Sequence, residues 1–222
     1  MAETSIHIDA IIAIIVALRQ YLGDRAIVLT NQFLYYAQGF PRLRVAPDGM
    51  VVYGVVPGPR DNYKVWEERQ VPAVIFEVTS GGTQSQDQVF KKTLYEQMGV
   101  QEYWLFDPKA EWIPEQLRGY RLRGEVYEPI QDNCSETLQL QLQIEGTLLG
   151  FYRLDSGEKL LIPDELARAL RREMEARQQA EARVRQTEAE LEQERQRAEQ
   201  AERQVERLKA RLRELGIEDG EL

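Results

Sequence analysis

Pro72-Ala73-Val74-Ile75-Phe76-Glu77-Val78-Thr79-Ser80 is the stretch from which the rest of this chain is read. Ala73 to Thr79 is a nearly continuous apolar run, rich in β-branched and aromatic residues, and one acid, Glu77, breaks it. Such a run reads as a central strand buried on both faces. A carboxylate there costs several kcal/mol unless something compensates it. A divalent metal ion would do so, and so would a salt bridge to Lys91 or an arginine. If metal alone compensates it, Glu77→Gln is expected to stabilise the metal-free protein.

Outward from this strand the segments alternate in type. A helix is expected from about Ser85 to Met98, ending at Gly99, and a strand from Glu102 to Phe106, stopped by Asp107 and Pro108. Upstream, Met50 to Val55 and Ala26 to Tyr36 read as strands, preceded by an apolar helix from about Ile8 to Leu22 that Gly23 and Asp24 stop. That helix has no basic segment before it and no small-residue cleavage pattern, and it reads as too short to span a bilayer, so a buried helix and no membrane partner are expected. Two hairpins close the domain, Tyr120 to Ile130 turning at Gly124 and Leu148 to Ile162 turning at Asp155, Ser156 and Gly157. The expected fold class is α/β, a mixed α+β sheet flanked by helices, over residues 1–163.

Beyond Pro163 aromatics and Gly give way to Glu, Arg, Gln and Ala, the composition of one long charged helix over 164–216 with a loose tail at 217–222. Val184, Leu191, Ala198, Val205 and Leu212 recur every seven residues, with Ala180, Ala201, Leu208 and Leu215 at the companion position. This is a coiled-coil seam, interrupted at Thr187 and Glu194, and it points to a homodimer through the helix or to a solvated single helix held by Glu and Arg pairs. Gly216 has the place of a C-cap.

Cys134 is the single cysteine and His7 the single histidine. They exclude an intramolecular disulfide and the usual zinc ligand sets, leave His7 the sole candidate base for a triad, and fit a reducing cytoplasm. The formal net charge of −9 argues against a broad nucleic-acid footprint, although carboxylates that bind metal add acid where the chemistry occurs. From Asp164 on there are 13 basic and 16 acidic residues, against 15 and 21 before it, so neither part is a basic tail.

Asp48, Glu77 and Lys91 put charge where the local pattern calls for an apolar or turn residue. Asp48 follows Pro47 at the entrance to a strand, where a turn aspartate is the plain alternative. Two carboxylates and a backbone carbonyl, that of Val78, form the hard oxygen set that Mg²⁺ prefers. On an α-helical wheel with Phe90 at zero, Leu94, Asp87, Met98 and Lys91 fall within the next 100° or so, which puts Lys91 along the edge of the buried face, while Lys92 falls on the far side. Lys91 then orients water or stabilises charge on a phosphate, or else is a snorkelling surface lysine. Asp87 and Tyr95 flank Lys91 at i−4 and i+4 and read as its supports, or as a helix cap and a core residue.

The order Ala46-Pro47-Asp48, then Val74 to Ser80 around Glu77, then Asp87, Lys91 and Tyr95, then Gly99-Val100-Gln101-Glu102-Tyr103-Trp104-Leu105-Phe106-Asp107-Pro108 resembles the bacterial Uma-type restriction endonuclease family of the PD-(D/E)XK superfamily. The resemblance covers roughly Ile6 to Pro163. It implies a restriction-endonuclease-like core, Mg²⁺ or Mn²⁺ as the cofactor, DNA as the partner, and Asp48 and Glu77 as metal ligands. The superfamily places its lysine two residues after the second acid, where this chain has Thr79, and the resemblance moves that role to Lys91. The expected activity is metal-dependent DNA endonuclease. The alternative is a catalytically inactive nuclease scaffold that binds or assembles through its coiled coil.

Overall fold

The computed structural model describes residues 4–81 and 86–214 and, at 86–88, the backbone alone. Helix α1 (Ser5–Leu22) is capped by Thr4, whose hydroxyl accepts from the His7 N–H, and it ends where Gly23 turns to φ 51°. It starts earlier than periodicity predicts. With the turn that follows, Ser5–Arg25 is long and apolar enough to cross a membrane by length and composition, so length does not exclude a span. Packing gives α1 its place, because Ala10, Ile14, Ala17 and Leu18 are buried against the sheet.

The strands follow as β1 (Ala26–Leu29), β2 (Leu34–Tyr35), β3 (Arg44–Val45), β4 (Gly49–Tyr53) and β5 (Tyr63–Lys64), the short helix α2 (Val65–Glu68), then β6 (Val74–Val78). A π-helical segment, Gln86–Lys91, runs into α3 (Lys92–Met98), followed by β7 (Glu102–Phe106), β8 (Leu117–Arg123), β9 (Val126–Ile130), β10 (Cys134–Ser135), β11 (Leu140–Glu145), β12 (Leu148–Arg153) and α4 (Pro163–Glu214). The main sheet has the order β1-β4-β6-β7-β8-β9, with β6 and β7 parallel and every other pair antiparallel. The class is therefore mixed α/β with a long C-terminal helix. The parallel pair is joined by the crossover through α3, as parallel strands require.

Alternation along β6 divides the core. Val74, Phe76 and Val78 face α1 and the small sheet β10-β11-β12, with Leu140, Leu142 and Phe151. Ile75 faces Met50, Tyr95 and Tyr103, and beyond them Leu34 and Tyr63 of the other small sheet, β3-β2-β5. Trp104 on β7 lies flat against β8 because its partner there is Gly119, where a Cβ would run into the indole.

Two expectations are corrected. Ala26 to Tyr36 is not one strand: the chain leaves the main sheet after Leu29 and passes through Asn31 at φ 50°, so β2 pairs in another sheet. The hairpin partner of β12 is β11, joined through Gly146 at φ 65°, while the arm beyond Gly157 keeps one bridge, Tyr152 to Lys159. The chain divides into two compact units, Met1–Leu166 and Ala167–Leu222. In α4 the seam residues Val184, Leu191, Val205 and Leu208 are exposed. Leu215, Gly216 and the tail lie outside the described residues.

Candidate active site

β4 and β6 run antiparallel with Gly49 opposite Phe76, and one further step of that register sets Asp48 opposite Glu77. Residues so placed share a face of the sheet, with Cβ atoms about 4.5–5.5 Å apart. The face is that of Met50 and Ile75, toward α3. Asp48 is fixed from two directions. Its carbonyl accepts from Thr30 Oγ1 at 2.7 Å, and its Oδ2 accepts from the Val78 N–H at 2.7 Å, where the β4–β6 ladder ends. Thr30 carries no chemical signal in the sequence; the fold alone shows its part in holding Asp48.

Glu77 is 2% exposed. Its Oε2 lies 2.8 Å from Lys91 Nζ, and its Oε1 accepts from the Tyr95 hydroxyl at 2.8 Å. The carboxylate is thus compensated by an ammonium and a phenol, and the expectation that Glu77→Gln relieves an unpaired acid fails, because that change strips Lys91 of its counter-charge. Tyr95 is fully buried and meets Tyr103 edge-on at 5.1 Å, which fixes the ring that presents the hydroxyl.

Lys91 reaches Glu77 by a route the helical wheel does not describe. Gln86–Lys91 is π-helical, with more residues per turn and so less rotation per residue than the roughly 100° of an α-helix, and Phe90, which the wheel sets at the start of the buried arc, is 55% exposed. Lys91 is the last residue of that segment, its side chain 12% exposed, while Lys92 lies over the Tyr120 ring at 4.8 Å. The side chain of Asp87 lies outside the described residues. Thr79, at the superfamily's lysine position, is buried with its N–H on the Phe106 carbonyl, so it brings no charge to the site.

The other buried acids are spent on structure. Glu102 accepts from Ser135 Oγ, the Thr137 N–H and Arg121, and Asp107 accepts from the Lys109, Trp112 and Ile113 N–H groups, which fastens the loop after β7. Arg60 pairs with Glu68 and holds that carboxyl below its ordinary range. His7 is buried in the first turn of α1. No group of three or more His, Cys, Asp or Glu placed to hold a metal occurs among the described residues.

Residues 1–149 match the model of the family described as "Uma2: Putative restriction endonuclease". The chain belongs to the Uma2 family. A solved structure similar to it is that of a "putative nuclease belonging to DUF820" from Anabaena variabilis, at 18% identity and a TM-score of 0.44, covering 61% of this chain and 72% of that one. No curated protein matches the chain. Within the Uma2 match lie Asp48, Glu77, Lys91 and Tyr95, so the whole polar cluster belongs to the part of the chain that defines the family.

Proposed function

We propose that this Uma2 protein is an endonuclease that hydrolyses DNA phosphodiester bonds with Mg²⁺ or Mn²⁺. The observation that carries the reading is the placement of Asp48 across from Glu77 with Lys91 on the same carboxylate. Asp48, Glu77 and the Val78 carbonyl are hard oxygen donors on neighbouring strands, a set that suits a divalent cation. The Val78 bond does not exhaust Asp48, since an ionised carboxylate has about four acceptor sites. When bound, such an ion neutralises phosphate charge and makes water more acidic.

The residues of the chain do the positioning. Lys91 supplies a cation beside Glu77 that orients a water or neutralises charge developing on the scissile phosphate. Tyr95 holds Glu77 Oε1 and thereby its rotamer. The restriction-endonuclease family supports DNA as the substrate, and the single thiol fits the reducing cytoplasm where DNA lies.

A second reading, a nuclease scaffold that binds without cutting, draws on the pairing of Glu77 with Lys91, since that acid is compensated without metal. Calorimetric titration of Mn²⁺ into wild type, Asp48→Asn and Glu77→Gln, beside a plasmid-nicking assay, separates the two. The amide introduced by Asp48→Asn keeps an acceptor for the Val78 N–H, so that variant is expected to fold, lose Mn²⁺ and stop nicking. Wild-type protein that neither binds Mn²⁺ nor nicks would leave the scaffold reading.

The proposed homodimer forms through α4. With Val184, Leu191 and Ala198 at a, Arg183, Glu190 and Arg197 occupy g, and Glu188, Arg195 and Glu202 occupy e. Parallel, in-register pairing of two copies sets Arg183 against Glu188, Glu190 against Arg195 and Arg197 against Glu202, three pairs of opposite charge.

A further inference from the structure

Between Asp24 and Asp48 the chain has no acidic residue, although it carries 37 acids in 222 residues, and the same stretch supplies Arg25, Arg42 and Arg44. Within it β2 and β3 form a hairpin, and β5 lies parallel to β2 on its other side. The inward face of this small sheet carries Leu34, Val45 and Tyr63 and joins the core. On the outward face the register lines up Arg44, Tyr35 and Lys64 in a row, cation, aromatic, cation.

Phe33 stands beside that row. Its ring meets Tyr35 edge-on at 6.1 Å, and the Arg44 guanidinium lies 4.0 Å over it while donating to the Tyr35 hydroxyl at 2.9 Å. Phe40 projects from the turn at 63% exposure, next to exposed Arg42 and Leu43. Lys64 is met by Glu67 at 2.8 Å, but among the described residues neither Arg42 nor Arg44 is paired with a carboxylate. Exposed rings among cations form a surface on which bases stack while arginines hold phosphates.

The hairpin is also rooted at the candidate active site. The Asn31 N–H donates to the Pro47 carbonyl at 3.0 Å and Thr30 Oγ1 to the Asp48 carbonyl, so both ends of the loop close on the aspartate. Arg44 precedes Asp48 by four residues, a reach of at most about 14 Å.

We infer that the β2–β3 hairpin binds single-stranded or unstacked DNA beside the bond to be cut. Bases stack on Phe33, Tyr35 and Phe40, and Arg42 and Arg44 take the phosphates that flank them. The placement of the strand rests on the nuclease reading, whereas the binding itself does not. An acidic protein thereby holds an anionic polymer through one acid-free segment.

The test is fluorescence anisotropy of the full chain in EDTA, where no cleavage occurs, with a labelled oligothymidylate of about twenty nucleotides and a duplex of the same length. Wild type is expected to bind the single strand more tightly than the duplex. Phe40→Ala, at a side chain 63% exposed, is expected to weaken that binding roughly 5- to 150-fold, and Phe33→Ala/Phe40→Ala to weaken it further. Arg42→Gln/Arg44→Gln is expected to reduce the slope of log affinity against log salt by about 1.4. Unchanged binding in Phe40→Ala together with an unchanged salt slope overturns the inference, as does equal or tighter binding of the duplex by wild type. Hairpin-dependent binding by a protein that never nicks DNA would leave this inference standing and remove the nuclease reading; nicking with hairpin-independent binding would do the reverse.

Discussion

Lys91→Met removes the ammonium while keeping most of the side chain's length, and it strands Glu77 at 2% exposure. Breaking a buried pair by deleting one partner costs about 3–5 kcal/mol. Two features moderate this. Lys91 is 12% exposed, so water screens part of the attraction, and the Tyr95 hydroxyl continues to donate to Oε1, a bond to a charged group worth about 1.5–3 kcal/mol. The expected loss is at the low end, about 3 kcal/mol. Glu77→Gln is expected to cost less, about 1–2 kcal/mol, because the lysine stem can carry its charge outward. In Lys91→Met/Glu77→Gln no charge is stranded, so the losses are not additive, and a coupling of about 2 kcal/mol is expected.

Urea unfolding at pH 7 in EDTA, followed through Trp104, which is fully buried, measures all three. The same series in Mn²⁺ tests the metal. On the proposed reading, Lys91 and the ion draw on the same carboxylate in wild type, whereas in Lys91→Met the ion alone does. Mn²⁺ at one hundred times its Kd is therefore expected to return about 2.7 kcal/mol to Lys91→Met, with tighter Mn²⁺ binding than wild type and with nicking lost. A loss below about 1 kcal/mol in EDTA would refute the desolvated pair. No response of Lys91→Met to Mn²⁺ would refute Glu77 as a ligand.

Gly119→Ala presses a methyl into the Trp104 indole, which is buried and has nowhere to retreat, so chemical denaturation should show a loss of about 2–3 kcal/mol or more. Burial pushes the Tyr63 phenol up to about 12 and raises that of Tyr127 as well, with Glu96 and Glu102 adding to the latter. The folded state then keeps these protons while the unfolded chain releases them, so stability is level below about pH 10 and falls as pH rises above it; urea midpoints between neutral and alkaline pH check this, and Tyr127→Phe should flatten the decline. Burial raises the Cys134 thiol and Asp132 adds to it, so alkylation at mildly alkaline pH should be slower than for a free cysteine peptide. Leu191→Glu/Leu208→Glu should convert a sedimenting dimer to monomer while leaving the melting of the Met1–Leu166 unit unchanged; a wild-type monomer at high concentration would remove the α4 pairing.

Local pattern alone made much of this protein legible. The apolar run around Glu77 is β6, Glu102–Phe106 is β7 with the bounds read from the sequence, Gly124 is the turn between β8 and β9, and α4 begins where composition changes. Each follows from the period of burial and from residues with special backbone freedom, which act within a few positions of themselves. Glu77 stood out for the same reason, as a charge at a position whose neighbours specify burial.

What the tertiary structure decided were the meetings between distant segments. Asp48 faces Glu77 because β4 and β6 pair in one register, and a slip of one residue would turn the two acids to opposite faces. Lys91 reaches Glu77 through a π-helical segment that a wheel of α-helical period does not predict. Tyr95 donates to that carboxylate only because the β6–β7 crossover lays α3 over it. The departure of β2 from the main sheet, which leaves an acid-free hairpin rooted at Asp48, likewise depends on which strands take β1 and β5 as neighbours. Periodicity records which residues are buried, but register and crossover depend on partners far along the chain, and those partners turn a buried acid into a candidate site.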